Sequence, residues 1–362
     1  MTRLGARIAA QITTAGPISI ADYMAQCLFD PADGYYTTRE PFGAAGDFTT
    51  APEISQMFGE LCAVWLYAAW QAVGAPERPV IAEIGPGRGT LMKDMLRTLA
   101  RLDARFGAQA RIFMIEASPR LTGVQKATLA GAAPAPEWVR TVDALPAGPQ
   151  FILGNELFDA LPVRQYVKTA AGWRERVVGL DEGGQLAFRA GPGSPDPTLL
   201  PPDAATAPEG AIAELAPARI ALMQAIAARI AEGGGAGLFI DYGHAKPSVG
   251  DTLQAMRGHA YAEVLAEPGA ADLTTHVDFA ALAGAAESQG LAAHLATQGE
   301  FLLGLGLLER AGRLGAGASP AEQEAIRAAV ERLAGPQAMG TLFKVLAVLP
   351  STATVPPFAA SD

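Results

Sequence analysis

The chain has 362 residues, of which 50% are hydrophobic and 18% are charged, and its formal net charge is −10. A chain of this length buries a full core without metals or disulfides, and its apolar fraction excludes intrinsic disorder as a general description. The acidic balance argues against a nucleic-acid-binding protein, because a phosphate backbone requires a basic surface. It suits a cationic substrate or ligand instead.

Cysteine and histidine usage gives no sign of a metal centre. The two cysteines, Cys27 and Cys62, are too few for a disulfide framework, and neither they nor the four histidines show the spacing of metal ligands. The longest apolar run, residues 61–70, is about half the length of a transmembrane helix. We therefore expect no metal and no membrane span.

The N-terminal residues resemble a transit peptide in one respect, since no acid precedes Asp22. Against this, Leu4, Ile8 and Ile12 recur every four residues, which predicts the first helix of a folded domain. We therefore predict that no segment is cleaved and that the protein is cytoplasmic.

Short β-like runs alternate with helical stretches from residue 80 onward. Near-continuous apolar runs separated by helices are typical of a parallel, doubly wound sheet, so the predicted fold is α/β and Rossmann-like. In chain order the β-like runs are 80–85, 111–117, 138–145, 151–158, 236–243 and 341–349, and a helix is predicted around 212–230.

The regions outside this alternation set the predicted domain limits. Residues 1–78 form a helical N-terminal region with a turn-rich lid loop, and the core follows over residues 79–349. Two insertions, at about 163–210 and 244–275, interrupt this core and are expected to build a lid. Residues 350–362 are predicted to be a flexible tail.

A glycine-rich turn after the first β-like run is the most informative motif. In AEIGPGRGTL, Glu83, Gly85, Gly87 and Gly89 form the pattern E-x-G-x-G-x-G. Glycines at a strand-to-helix turn let the backbone approach a ligand closely. Dinucleotide sites have G-x-G-x-x-G, whose third glycine would fall at Thr90. The pattern here is the one found in Rossmann-like methyltransferases and predicts S-adenosyl-L-methionine as cofactor; a tight turn without a ligand is the alternative.

Two acids further along the chain suit the same cofactor. Glu116 ends the next β-like run, where a carboxylate can accept hydrogen bonds from both ribose hydroxyls. An acid in such an apolar run is costly without a partner. Asp143 follows the third run, at the position that contacts adenine in such folds, and a solvated turn aspartate is the alternative.

Five segments of the chain are informative together, at 31–60, 83–91, 154–163, 239–244 and 250–282. They resemble one known family, the MidA-like methyltransferases. The resemblance covers roughly residues 16–349, with the motifs in the family's order. It implies a Rossmann-like fold and S-adenosyl-L-methionine as cofactor. From the family's mitochondrial members, it also implies methylation of an arginine on a core subunit of respiratory complex I during assembly.

The segment GNELFDALPV places Asn155, Glu156 and Asp159 at and after the end of a strand. In an open α/β sheet, ligands bind beyond the carboxyl ends of the strands. In methyltransferases of this fold, that position faces the transferable methyl group. Glu156 and Asp159 are therefore predicted to pair with an arginine acceptor and to localise its charge. For Asp159, a helix N-cap is the alternative.

Two other parts of the chain carry candidate site residues. In GDFTTAPEIS, Thr50 and Glu53 are expected to fold over the cofactor, in keeping with the family's motif, and they also form the pattern of a capping box. His244 in FIDYGH and His276 in DLTTHVDF are candidates for accepting the proton released after transfer, or are structural histidines.

Three functions remain to be compared. The chain is an arginine methyltransferase acting on a protein such as a complex I subunit, a small-molecule methyltransferase, or an assembly chaperone that has lost catalysis. The intact glycine loop and Glu116 argue against lost catalysis. The apolar insertions suit a homodimer interface as well as a client protein.

Overall fold

The computed structural model describes residues 2–39 and 49–358, so part of the predicted lid loop lies outside the described residues. The helices are α1 Arg3–Ala15, α2 Ile20–Phe29, α3 Tyr35–Thr38, α4 Ala51–Ile54, α5 Gln56–Ala72, α6 Thr90–Leu102, α7 Ala104–Gln109, α8 Pro119–Thr128, α9 Pro217–Gly233, α10 Phe279–Glu287, α11 Gln298–Gly304, α12 Leu307–Gly315, α13 Pro320–Ala334 and α14 Met339–Leu342. The strands are β1 Ile18–Ser19, β2 Val80–Ile84, β3 Arg111–Ile115, β4 Glu137–Val139, β5 Gln150–Asn155, β6 Arg164–Thr169, β7 Gly172–Leu180, β8 Leu186–Ala190, β9 Ile212–Leu215, β10 Gly235–His244, β11 Gln254–Arg257, β12 Ala260–Ala262, β13 Asp272–Thr274, β14 Val277–Asp278, β15 Leu291–Thr297 and β16 Phe343–Pro350.

These elements form two compact units, each built from three separate stretches of the chain. The first unit comprises residues 2–39, 158–221 and 246–278. The second unit comprises residues 49–157, 222–245 and 279–358. Residues 49–78 thus belong with the sheet that follows them, unlike in the predicted division at residue 78. The reason is α5, whose apolar side chains such as Trp65 share one core with Met92 and Met95 of α6.

The second unit contains the doubly wound sheet that the sequence predicts. Its strand order is β15-β16-β10-β5-β2-β3-β4. The pairs from β10 to β4 are parallel, and β16 runs antiparallel to both of its neighbours. All residues of β2 and β5 are buried, as expected for strands covered by helices on both faces. The predicted α/β fold is confirmed.

The chain order reverses between β2 and β5, which makes this pair the switch point of the sheet. From β2 the chain moves outward to β3 and β4, and it then returns to β5 on the other side of β2. Ile84 of β2 lies opposite Gly154 of β5, and Asn155 lies opposite Ile240 of β10. The segments after β2 and β5 therefore leave the sheet side by side.

A buried ion-pair network joins three helices of the second unit. Glu60 of α5 is 6% exposed and accepts two hydrogen bonds from Arg310 of α12, at 2.6 and 3.0 Å. Arg97 of α6 lies 3.4 Å from Glu60 and 2.9 Å from Asp94. Two arginines thus compensate two buried carboxylates, which keeps α6 fixed behind the glycine loop.

The first unit is built on antiparallel sheets. One has the order β1-β7-β6-β9 with β8 also paired to β7, and a smaller one has the order β12-β11-β13. The insertion predicted at about 163–210 thus contributes β6, β7 and β8 to this unit. The helix α1 begins at the N-cap Thr2 and buries Leu4, Ile8 and Ile12 in the core of this unit, as their spacing predicts.

Two local predictions differ from the structure. The predicted helix around 212–230 begins only at Pro217, because residues 212–215 form β9 and proline favours the first helical turn. The predicted flexible tail is ordered up to residue 358, since Ala353, Val355 and Phe358 are buried in the core of the second unit. Among the described residues, no helix is long and apolar enough to cross a lipid bilayer.

Candidate functional site

The glycine loop follows β2 at the switch point and adopts a backbone that suits glycine. Gly85, Gly87 and Gly89 have φ angles of +63°, +52° and +81°. A side chain in this left-handed region is strained, and a Cβ on Gly85 would lie 3.2 Å from Cδ1 of Leu157. The amide of Gly85 donates to the carbonyl of Ile115 in the neighbouring strand, at 3.1 Å. The loop is thus hydrogen-bonded to β3, and its three left-handed positions carry no side chains.

Helix α6 starts directly from this loop. Its N-cap is Gly89, which has no side chain to cap the first amides, so this end of the helix carries partial positive charge. The Thr90 hydroxyl donates a short hydrogen bond to the Glu53 carboxylate, and Arg88 lies 3.9 Å from the same carboxylate. Glu53 is thus held at the start of α6.

This contact replaces the predicted capping box. Thr50 is the N-cap of α4, but its hydroxyl accepts no capping hydrogen bond from the described residues. Glu53 turns towards Thr90 instead, because a helix N-terminus and a hydroxyl donor stabilise its charge together. That Thr50 and Glu53 cover the cofactor stays a prediction.

Glu83, the first residue of the glycine motif, points into the core. It is 3% exposed, and the backbone amide of Met92 in α6 donates to its carboxylate. Its Oε2 atom has no hydrogen-bond partner among the described residues. Burial raises the pKa of the Glu83 carboxyl to about 8. This geometry fits a residue that fixes α6 beneath the loop better than one that contacts a cofactor.

Glu116 stands at the end of β3 and is held by two neighbours. One carboxylate oxygen accepts the Ser118 amide at 2.7 Å, and the other accepts Nε2 of Gln125 at 2.9 Å. Gln125 is fully buried, and its Nε2 also donates to the carbonyl of Gly87 at 2.9 Å. Burial raises the pKa of Glu116, although these hydrogen bonds oppose the shift. Gln125 thus links the glycine loop to Glu116, the residue predicted to bind the ribose.

Glu156 follows β5, on the other side of the switch point, in a strained conformation. Its φ angle is +50°, in the left-handed region that non-glycine residues rarely adopt. Its amide donates to the carbonyl of Ile240 at 2.8 Å, and the next amide, of Leu157, donates to Oδ2 of the fully buried Asp241 at 3.1 Å. The β10 strand thus imposes this backbone.

The Glu156 carboxylate is oriented by two donors. Its Oε1 atom accepts Nδ2 of Asn155 at 3.1 Å and the Ala51 amide at 3.3 Å. Asn155 is 9% exposed, and its Oδ1 atom has no hydrogen-bond partner among the described residues. Strain and directed hydrogen bonds at a sheet's switch point are typical of a functional site.

The other predicted residues are divided between the two units. Asp143 is exposed in a short 3₁₀ turn after β4, and His244 ends β10; both belong to the second unit. Asp159 and His276 belong to the first unit, where their carbonyls accept hydrogen bonds from the same side chain, Arg219. Asp159 lies in a turn and caps no helix among the described residues.

The chain was compared with known protein families and solved structures. A model of the family described as "Putative S-adenosyl-L-methionine-dependent methyltransferase" matches residues 61–297. The chain belongs to this family. The methyltransferase is also similar to a solved Burkholderia thailandensis protein bound to S-adenosyl-homocysteine, with 31% identity, a TM-score of 0.82 and coverage of 96% of this chain and 91% of that one.

Two vertebrate relatives extend the comparison over almost the whole methyltransferase. "Protein arginine methyltransferase NDUFAF7, mitochondrial" of Danio rerio is 35% identical over 94% of this chain and 86% of its own length. The Homo sapiens protein of the same name is 33% identical over 94% of this chain and 82% of its own length. The prediction of a cytoplasmic protein is therefore wrong, because the curated relatives are named as mitochondrial; the regular spacing of Leu4, Ile8 and Ile12 reports a helix and carries no information about compartment.

The site of the methyltransferase fits S-adenosyl-L-methionine. Three left-handed glycines leave room for a ligand against the backbone, and Glu116 suits a ribose. These residues would hold the cofactor. In the described part of the chain, no cluster of three or more His, Cys, Asp or Glu side chains could hold a metal ion.

Three residues of this methyltransferase were not in the predicted site. Gln125 reads as an ordinary helical residue, and Arg219 as a charge on an amphipathic helix. Asp241 has a weak signal, because an acid inside the apolar run LFIDYG requires a partner. Only the fold shows which groups these side chains reach.

Proposed function

We propose that this enzyme transfers a methyl group to an arginine side chain of a protein substrate. The observation that carries the proposal is the 35% identity, over 94% of the chain, to a relative named as a protein arginine methyltransferase. The acidic residues at the switch point support it, because they suit a cationic acceptor. The family resemblance directs the proposal to a core subunit of respiratory complex I during its assembly.

The acceptor determines what the protein has to do. When bound, S-adenosyl-L-methionine supplies an activated methyl group on its sulfonium. A guanidinium has a pKa above about 12 and spreads its charge over three nitrogens, so it is a poor nucleophile in water. A carboxylate that pairs with two of the nitrogens localises the charge there and leaves the third free to attack.

Glu156 is the residue that we assign to this pairing. Its Oε1 atom is oriented by Asn155 and Ala51, so its carboxylate is fixed before the acceptor binds. Asp159 is the second proposed carboxylate. The attacking nitrogen must lose a proton after transfer, and His244 at the end of β10 is our candidate acceptor, with His276 as the alternative. Asp143, Thr50 and Glu53 keep their proposed cofactor roles.

The test is direct identification of a methylated arginine. The enzyme is incubated with isotopically labelled S-adenosyl-L-methionine and solubilised complex I subunits, and tryptic peptides are analysed by mass spectrometry. We expect a label on a defined arginine of one subunit. A label found only in the small-molecule fraction supports a small-molecule methyltransferase. Assembly activity that persists without cofactor binding supports a silent chaperone. A homodimer, testable by light scattering, stays a prediction.

A variant pair assigns the role of Glu156. Removing a hydrogen bond to a charged group costs about 1.5–3 kcal/mol, so Glu156→Gln should lower methyl transfer about 10- to 100-fold. Its affinity for S-adenosyl-homocysteine should stay unchanged. The control is Glu232→Gln, which makes the same change at an exposed position of α9. Equal transfer rates for both variants would refute the assignment.

A further inference from the structure

Arg219 is a buried cation whose guanidinium donates to several main-chain carbonyls and to one threonine hydroxyl. It lies in the first turns of α9 and is 2% exposed. Its Nη1 donates to the carbonyl of His276 at 2.7 Å, and its Nη2 donates to the carbonyls of Asp159 and Leu161 at 2.9 and 3.2 Å. The Thr275 hydroxyl accepts a further short hydrogen bond. These acceptors offset the cost of burying the charge.

The acceptors belong to two distant segments of the chain, 159–161 and 275–276. Both segments lie within motifs that carry the family resemblance, and each contains one predicted site residue, Asp159 or His276. The amide of Thr275 also donates to the carbonyl of Asp159, at 3.2 Å. Arg219 therefore joins the main chains of these two residues within the first unit.

A second layer of polar groups holds the same segment. The His276 amide donates to the Thr252 hydroxyl at 2.9 Å, and that hydroxyl donates to Oε2 of Glu214 at 2.5 Å. The Glu214 carboxylate also accepts Nε2 of Gln165 at 2.7 Å. Burial raises the pKa of Glu214, and the hydrogen bonds from Thr252 and Gln165, followed by the charge of Arg219, oppose that shift. The backbone at residues 275–276 is thus held by Arg219 and by Thr252.

We propose that Arg219 is a positioning residue for the methyl acceptor, which holds Asp159 and His276 in one arrangement through their carbonyls. The inference rests on the proposed function, since it concerns the two first-unit residues proposed to serve the acceptor. A guanidinium is required because its planar fork reaches several carbonyls at once, whereas a lysine presents one compact ammonium. Arg219→Lys keeps the charge but loses this geometry.

Helix α9 offers a matched control. Arg229 lies ten residues further along the same helix, and its Nη2 likewise donates to two carbonyls, those of Leu145 and Pro146, at 2.6 and 3.1 Å. Neither carbonyl belongs to a predicted site residue. Arg229→Lys thus makes the same chemical change to the same kind of contact.

The experiment measures hydrogen exchange and acceptor binding on the full-length protein. In Arg219→Lys, the amides of peptides covering 157–163 and 272–278 should exchange at least about 10-fold faster, because their hydrogen bonds open more easily. Binding of N-acetyl-arginine methylamide, followed by NMR with S-adenosyl-homocysteine present, should weaken about 10-fold. Arg219→Lys and Arg229→Lys should bind S-adenosyl-homocysteine with the same affinity. Arg229→Lys should change neither the exchange of the two peptides nor the binding of the arginine probe.

Two results would overturn the inference: unchanged exchange in both peptides, or acceptor binding that is measurable and equal in the two lysine variants. If Arg219→Lys does not fold, Thr275→Ala removes one acceptor of the guanidinium, with Thr275→Ser as its control, and the same measurements apply. Exchange is measurable whether or not methyl transfer occurs. Failure of the proposed function, which appears as an absence of methylated arginine, is therefore distinguishable from failure of this inference.

Discussion

The buried carboxyl of Glu83 makes stability depend on pH in a direction opposite to that of most acids. It lies under the glycine loop, 3% exposed, with the Met92 amide as a donor to it. Because burial raises its pKa to about 8, it is protonated at neutral pH in the folded chain. Glu83→Gln imitates this neutral form, since the amide keeps a carbonyl acceptor for Met92 but cannot ionise.

The magnitude follows from linkage between protonation and folding. The folded pKa exceeds the unfolded one, so the stability from this group is complete below the ordinary value of 4.5 and is lost as pH rises towards 8. Between about pH 5.5 and about pH 7.5, the unfolded chain has released this proton and the folded chain has largely kept it. The wild type should therefore lose about 2.5 kcal/mol relative to Glu83→Gln over this interval.

Urea unfolding at both pH values, for the wild type and the variant, measures this difference. Exposed Glu182→Gln removes one carboxylate without burial and should follow the wild type at both pH values. The reasoning would be refuted if the free energies of unfolding of the wild type and of Glu83→Gln changed in parallel between the two pH values. That result would mean that water or a conformational change reaches the Glu83 carboxylate.

Further predictions concern the glycine loop, the predicted ribose-binding residue Glu116 and the buried ion-pair network. Gly85→Ala should lower the free energy of unfolding by about 1–2 kcal/mol. It should also weaken S-adenosyl-homocysteine binding measured by calorimetry, and unchanged binding would show that the loop tolerates a side chain. Glu116→Gln should weaken the same binding about 10-fold with little change in Tm, and unchanged affinity would remove it from the site. Glu60→Ala leaves Arg310 without its bidentate partner and should lower the free energy of unfolding in urea by about 3–5 kcal/mol. The control Glu324→Ala, at an exposed position, should lower it little, and equal losses in the two variants would contradict a buried network.

The strands were predictable because each is a short apolar run followed by a helix. The direction of Glu83 was not, since β2 is buried on both faces and its sequence shows no alternation that would assign a face. Gln125 is likewise an ordinary polar residue of a helix until the fold surrounds it. Burial from tertiary packing decides both positions.

The partner of Glu53 and the make-up of the two units were not predictable for a related reason. Thr50 and Glu53 have the right local spacing, but Thr90, distant in sequence, offers Glu53 a stronger partner. The first unit is assembled from three stretches of chain, and local patterns carry no information about which stretches meet. Only the glycine loop and Glu116 combine a local pattern with a known place in the fold.

The three-part construction of the first unit affects how the protein is made. The Thr2 hydroxyl donates to the carbonyl of Pro268, and the Tyr23 hydroxyl donates to that of Val264, 241 residues later in the chain. A ribosome adds about 5–20 residues per second, so Tyr23 waits roughly 12–50 seconds for this partner. During that time α1 and α2 emerge with apolar faces and no finished core, which is when a chaperone would bind. Neither unit can be produced alone by shortening the gene at one end.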